Sequence, residues 1–135
     1  MILEDMKGPV QIENDTALEA KLNKRYGPGV NAFWLSHESL NENNNSAKLA
    51  ILVNHELANV HYFPPGKHPG FQSQGSIPDL DVRGFSQFYM YSPEKLQQVE
   101  EIPNAYVVPF SDAVKVAKEF LERDELPKSI GWLEL

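Results

Sequence analysis

The chain has 135 residues, 41% hydrophobic and 23% charged, a composition that suits one globular domain over residues 1–135 and is far from that of a disordered chain. Twelve Lys and Arg against nineteen Asp and Glu give a net charge of -7, which argues against nucleic acid as a direct partner, because phosphate binding needs clustered cations. The absence of cysteine excludes disulfides and thiolate metal sites. Acids at Glu4 and Asp5, and the lack of any run of about 20 apolar residues, lead to the expectation of a cytoplasmic protein with no export signal and no membrane span.

Val10 and Ile12 alternate with polar neighbours after Gly8-Pro9, as in a short edge strand. Thr16 with Glu19 has the spacing of a capping box, and Leu18, Leu22 and Tyr26 form one helical stripe that Gly27-Pro28-Gly29 ends. Asn31 to Ser39 reads as a strand covered on both faces, or one whose Trp34 reaches into a crevice. The asparagines at 41 and 43–45 predict a turn. Ala47 to Asn54 alternates as a central strand does, and Asn59 to Phe63 pairs back on it through a connection at residues 55–58.

Pro64-Pro65-Gly66 then stops that ladder by removing two backbone donors, and Pro69 to Gly75 reads as a short exposed strand or a shaped loop. Ser76 to Arg83 predicts a loop, and Gly84 to Tyr91 an aromatic strand. Ser92-Pro93-Glu94 has the makings of a cap for one or two helical turns with Leu96 and Val99 on one face, interrupted at Ile102-Pro103. Ala105 to Phe110 is strand-like. Ser111 caps the clearest helix, with Ala113, Val114, Ala117, Phe120 and Leu121 on one side; Pro127 stops it, and Ser129 to Leu135 returns as a strand. The fold class expected is α+β, a mostly antiparallel sheet of about six strands with two amphipathic helices packed on it.

Catalytic signatures are sparse. His55-Glu56 begins a zincin motif that fails at Asn59, where the second histidine would stand. His55, His61 and His68, with Glu56 or Asp79, leave open a strand-built metal site and so a histidine-based, metal-dependent enzyme. Ser73 near His61 or His68 is the one nucleophile–base arrangement to consider. A small ligand-binding module using Trp34 and the tyrosines around an apolar cleft is the other alternative. Neither reading comes with a complete motif, and both stay open on the residues alone.

An interaction surface is better supported. Residues 76–101 hold five acids, Asp79, Asp81, Glu94, Glu100 and Glu101, against Arg83 and Lys95, interleaved with Phe85, Phe88, Tyr89, Met90 and Tyr91. Aromatic anchors within a polar rim are what a binding hot spot requires. Asp79, Asp81, Tyr89, Tyr91, Glu100 and Glu101 are therefore the candidate partner contacts.

His61-Tyr62 followed by Pro69-Gly70-Phe71, Ser73 and Gly75 resembles the central signature of the type-one immunity proteins of bacterial polymorphic toxin systems. The similarity extends to Phe33-Trp34-Leu35, to Leu49 through Val53, and to Ala113, Ala117, Phe120, Pro127, Ile130 and Trp132, so it covers roughly 31–135. It implies an α+β protein that acts by binding, is not an enzyme and carries no cofactor or metal, and that neutralises a cognate secreted toxin domain, often of the deaminase class, by blocking its active site or nucleic-acid groove. A basic toxin groove would complement the acidic balance of this chain.

Overall fold

The computed structural model describes residues 1–38, 45–92 and 95–135, apart from the side chains of 91, 92 and 95–97. In order these form β1 (Ile2–Asp5), β2 (Gly8–Gln11), α1 (Asp15–Leu22), β3 (Val30–Ser36), β4 (Lys48–Asn54), β5 (Leu57–Phe63), β6 (Phe71–Ser73), β7 (Phe85–Ser92), β8 (Lys95–Pro103), a 3-10 turn (Asn104–Tyr106), β9 (Val107–Pro109), α2 (Phe110–Glu122) and β10 (Trp132–Glu134). Eight strands make one antiparallel sheet ordered β10-β6-β5-β4-β3-β1-β2, with β9 also on β5; β7 and β8 form a separate hairpin. The class is α+β, with more strands than the six expected.

The centre of the sheet follows from alternation. In β4, Leu49, Ile51 and Val53 point to one face and are buried, and the register places Phe33, Ile51 and Val60 side by side across three strands. This face meets the helices. Leu18 and Leu22, one turn apart on α1, and Ala113, Val116, Ala117 and Phe120 on α2 are buried against it.

Several local readings are corrected. The N-cap of α1 is Asn14, whose Oδ1 accepts the Ala17 amide at 2.8 Å, so the Thr16 capping box does not form. The helix ends at Leu22, and Tyr26 lies beyond it. Helix α2 begins at Phe110 rather than after a Ser111 cap; the Phe110 amide donates to the Glu56 carbonyl at 2.8 Å, so the β4–β5 turn does the work of a cap. That turn is two residues long, with Asn54 opposite Leu57 and His55 at φ 54°, so β5 starts two residues earlier than expected. The N-terminal segment holds two strands, because β1 is only four residues long and two of them are acids.

The helical reading of 92–101 fails as well. Residues from Lys95 onward pair with β7 in a ladder that gives alternate residues backbone partners across the hairpin, whereas one or two isolated helical turns carry a nucleation cost with little to offset it. Pro93 and Glu94 lie outside the described residues, as do Asn41, Asn43 and Asn44 of the predicted asparagine turn.

One buried polar cluster ties the N-terminal hairpin to the sheet. The Asp5 carboxylate accepts from the Lys7 amide at 2.8 Å, Asn31 Nδ2 at 3.2 Å and the Tyr26 hydroxyl at 3.2 Å, and lies 3.3 Å from Lys21 Nζ. Burial alone would raise its pKa, but the Lys7 amide, Asn31 and the Lys21 charge together outweigh burial and hold it below the usual aspartate value. A carboxylate depressed in the folded state contributes stability above its unfolded pKa and loses it as pH falls through the folded one. Asp5→Asn is expected to cost about 1.5–3 kcal/mol at neutral pH. It should also flatten the stability profile below about pH 4. Urea melts between pH 3 and 7 test this, and an unchanged acid slope would remove Asp5 as its source.

Candidate interaction site

The sheet face opposite the helices is built from the other half of the alternation. Ala32 and Trp34 on β3, Ala50 and Leu52 on β4, and Asn59, His61 and Phe63 on β5 project there. The β7–β8 hairpin lies over it. Their separation leaves a cleft of about 230 Å³.

Three aromatic rings line it. Trp34 stacks on Phe63 at 5.5 Å between centroids, and Phe63 stacks on His61 at 3.8 Å and 11°. The small Ala50 stands between Trp34 and His61 in the register, so the rings rise above the sheet on either side of it. Beside them runs a chain of side-chain hydrogen bonds. Asn59 Nδ2 donates to Gln72 Oε1 at 2.8 Å and to the Tyr106 carbonyl at 3.1 Å. Gln72 Nε2 lies 3.0 Å from His61 Nδ1, and His61 Nε2 lies 3.0 Å from the Pro69 carbonyl. This pattern makes Nε2 the protonated nitrogen. Burial lowers the His61 pKa below the usual histidine value, against a smaller upward pull from the Pro69 carbonyl.

The hairpin has two unlike faces. Inward lie Ser86, Phe88 and Met90, paired with Ile102, Glu100 and Gln98. Phe88 is 0% exposed, and Met90, Glu100 and Ile102 line the cleft. Outward lie Phe85, Gln87 and Tyr89, paired with Pro103, Glu101 and Val99. Phe85 is 61% exposed and Val99 51%, large apolar side chains left in water on a strand pair. The two phenylalanines are therefore divided between core and surface.

Five of the six predicted contacts fall into three groups. Tyr89, half-buried, and the exposed Glu101 share the outer face with Phe85 and Val99. Asp79 and Asp81 are exposed in the loop entering the hairpin, beside Val82 at 72% exposure. Glu100 points the other way, into the cleft. Tyr91 is on β7, but its side chain lies outside the described residues.

Asp81 has a second task. Its Oδ1 accepts the Arg83 amide at 3.0 Å, and its carbonyl accepts Asn104 Nδ2 at 2.7 Å. Asn104 also accepts from the Ser86 hydroxyl and donates its amide to the Gly84 carbonyl, which closes the root of the hairpin. The Asn59–Gln72 pair and the Asn104 latch were missed in the sequence. The available signal was polarity at 59 and 61 on the outward face of an otherwise apolar strand.

The histidines are separated by these structural duties. His55 sits in the β4–β5 turn beyond the far end of β5 from His61. His68 Nε2 pairs with Glu134 at 2.8 Å, and its Nδ1 accepts the Gly70 amide. His37 Nε2 bonds to the Phe120 carbonyl. Among the described residues no three His, Asp or Glu side chains come together as a metal-ligand set. Ser73 Oγ donates to the Tyr106 carbonyl at 2.7 Å and accepts the Val60 amide at 3.0 Å. It covers the backbone where β5 leaves β6 for β9, so no histidine partners it.

The residues that carry the family resemblance act largely in packing. Tyr62 meets Phe120 edge-on at 6.3 Å and Trp132 at 6.5 Å, and Trp132 Nε1 donates to the Pro127 carbonyl at 2.7 Å. Among the described residues no helix is long and apolar enough to cross a membrane. In comparisons with known proteins, no family model matches this chain, and no curated protein sequence matches it.

Proposed function

We propose that this chain is an inhibitor of the immunity-protein kind, which binds a cognate secreted toxin domain and covers its active site or nucleic-acid groove. The observation that carries the reading is the outer face of the β7–β8 hairpin. There Phe85 and Val99 stand exposed, with Tyr89 on β7 opposite Val99 and Glu101 exposed on β8, while the exposed Asp79 and Asp81 lie in the loop that leads into β7. An apolar and aromatic centre with an acidic rim suits a basic protein partner, for which the rim steers encounter and the centre slows release. The partner is a toxin domain with a basic groove, of the deaminase class if the sequence resemblance extends to function.

The test is co-expression with the toxin domain encoded beside this chain's gene. A one-to-one complex that abolishes toxicity supports the reading, and no complex at micromolar concentrations overturns it. The surface has its own check. Asp79→Lys combined with Glu101→Lys reverses two charges without touching the Asp81 turn, and is expected to slow association about tenfold at low salt and to reduce its salt dependence. Stopped-flow rates over a salt series measure both, and an unchanged rate removes this face from the encounter.

A further inference from the structure

The cleft beneath the hairpin presents a different chemistry from the outer face. At about 230 Å³ it is smaller than ordinary small-molecule sites, which run roughly 300–1,000 Å³. It holds a guest the size of one side chain. Its one formal charge is Glu100, half-buried, and among the described residues no cation or donor pairs with that carboxylate. Asn59 uses its Nδ2 on Gln72 and Tyr106, while no donor among the described residues reaches its Oδ1. His61 offers no free nitrogen, since both ring nitrogens are held by Gln72 and Pro69.

What the cleft leaves open are acceptors and aromatic surface: a carboxylate, an amide oxygen, and the rings of Trp34 and Phe63, which line it while stacked on each other. A guest that satisfies all of these must be cationic, must donate in several directions and must tolerate desolvation against aromatic rings. Guanidinium meets those terms, because it is planar, carries five donors and is more weakly hydrated than ammonium. Phosphate and carboxylate guests are repelled by Glu100.

We propose that the cleft is a receptor for an arginine side chain presented by the partner protein. The source of the arginine rests on the inhibitor reading above; the chemistry of the cleft is testable without any partner. The isotope-labelled full chain is titrated with N-acetyl-arginine amide while the two indole N–H signals are followed. Trp34 is expected to shift saturably, with a dissociation constant of about 1 mM. Trp132, bonded to Pro127, should stay still. N-acetyl-citrulline amide, of the same shape without the charge, should shift neither, and Glu100→Gln should weaken arginine binding about tenfold or more.

Absence of a Trp34 shift, or an equal response to citrulline or in Glu100→Gln, overturns the receptor. In the toxin complex, Glu100→Gln should lower affinity about tenfold. If the arginine probe binds but the complex ignores Glu100→Gln, the partner is the wrong source and that part of the proposal falls. Failure to form any toxin complex overturns the inhibitor reading, and the probe titration then decides the chemistry of the cleft on its own.

Discussion

Truncating Phe88 to alanine is expected to unlatch the β7–β8 hairpin from the sheet, at a cost of about 3–5 kcal/mol. The side chain is fully buried, yet it does not belong to the cluster between the sheet and the helices. It fills a second, smaller core on the opposite face, under a hairpin that shares no ladder with the main sheet. Among the described residues, the hairpin is also held by the Asn104 latch at its root and by a bond from Asn54 Nδ2 to the Gln87 carbonyl at 2.9 Å. Native-state hydrogen exchange should show the β7 and β8 amides exchanging roughly two to four orders of magnitude faster in Phe88→Ala, with β4 and β5 keeping their protection. Equal loss of protection in both places would mean that the hairpin and the sheet are one cooperative unit. The variant should also lose partner binding, since Tyr89 and Glu101 on one face and Glu100 on the other are positioned only while the hairpin is docked.

The main sheet was legible because burial there follows a period of two. β3, β4 and β5 are long enough to show alternation, and the short β4–β5 connection left little choice of register. The same clarity did not extend to β8. Lys95 to Glu101 contains residues with good helix propensity, and its strand state is imposed by pairing with β7, a tertiary cause that no local window displays. β1, at four residues, is too short for periodicity to register, whereas β6, β9 and β10 fall inside runs that read as strand or loop, strand-like and strand, each shorter than its run.

The candidate site was legible in composition and not in direction. Acids and aromatics between 76 and 101 could be seen to cluster, but a one-residue step along a strand reverses the face. Glu100 and Glu101, adjacent in sequence, consequently end up on opposite sides of the hairpin, one in the cleft and one in solvent. The cleft itself needed the strand order: Trp34 and His61 lie 27 positions apart and meet only because β4 sits between their strands. A crevice for Trp34 could be anticipated from its central place in an apolar triplet, whereas the Asn59–Gln72 bond depends on β6 folding back onto β5.

The glycine in Pro69-Gly70-Phe71 has a reason that can be isolated by comparison. Gly70 sits at φ +104°, and a Cβ there would meet the Tyr62 carbonyl oxygen at 2.5 Å and His61 Nε2 at 2.6 Å. Gly66, four residues earlier at φ +94°, has nothing within 4 Å of the same position. Alanine at 66 therefore suffers only the left-handed backbone cost, about 1–2 kcal/mol. Alanine at 70 adds displacement of the β5 backbone and the His61 ring, for a total of about 2–5 kcal/mol. The second effect has its own signature. Moving the ring out of its packed position lifts the burial that depresses the His61 pKa, which outweighs the loss of the Pro69 acceptor, so the pKa should rise toward the ordinary histidine value in Gly70→Ala and stay put in Gly66→Ala. Urea melts of both variants with an NMR titration of His61 measure the two quantities. Equal destabilisation of the two variants, with His61 unmoved in both, would show that the loop gives way without disturbing β5, and that Gly70 is needed for its backbone angle alone.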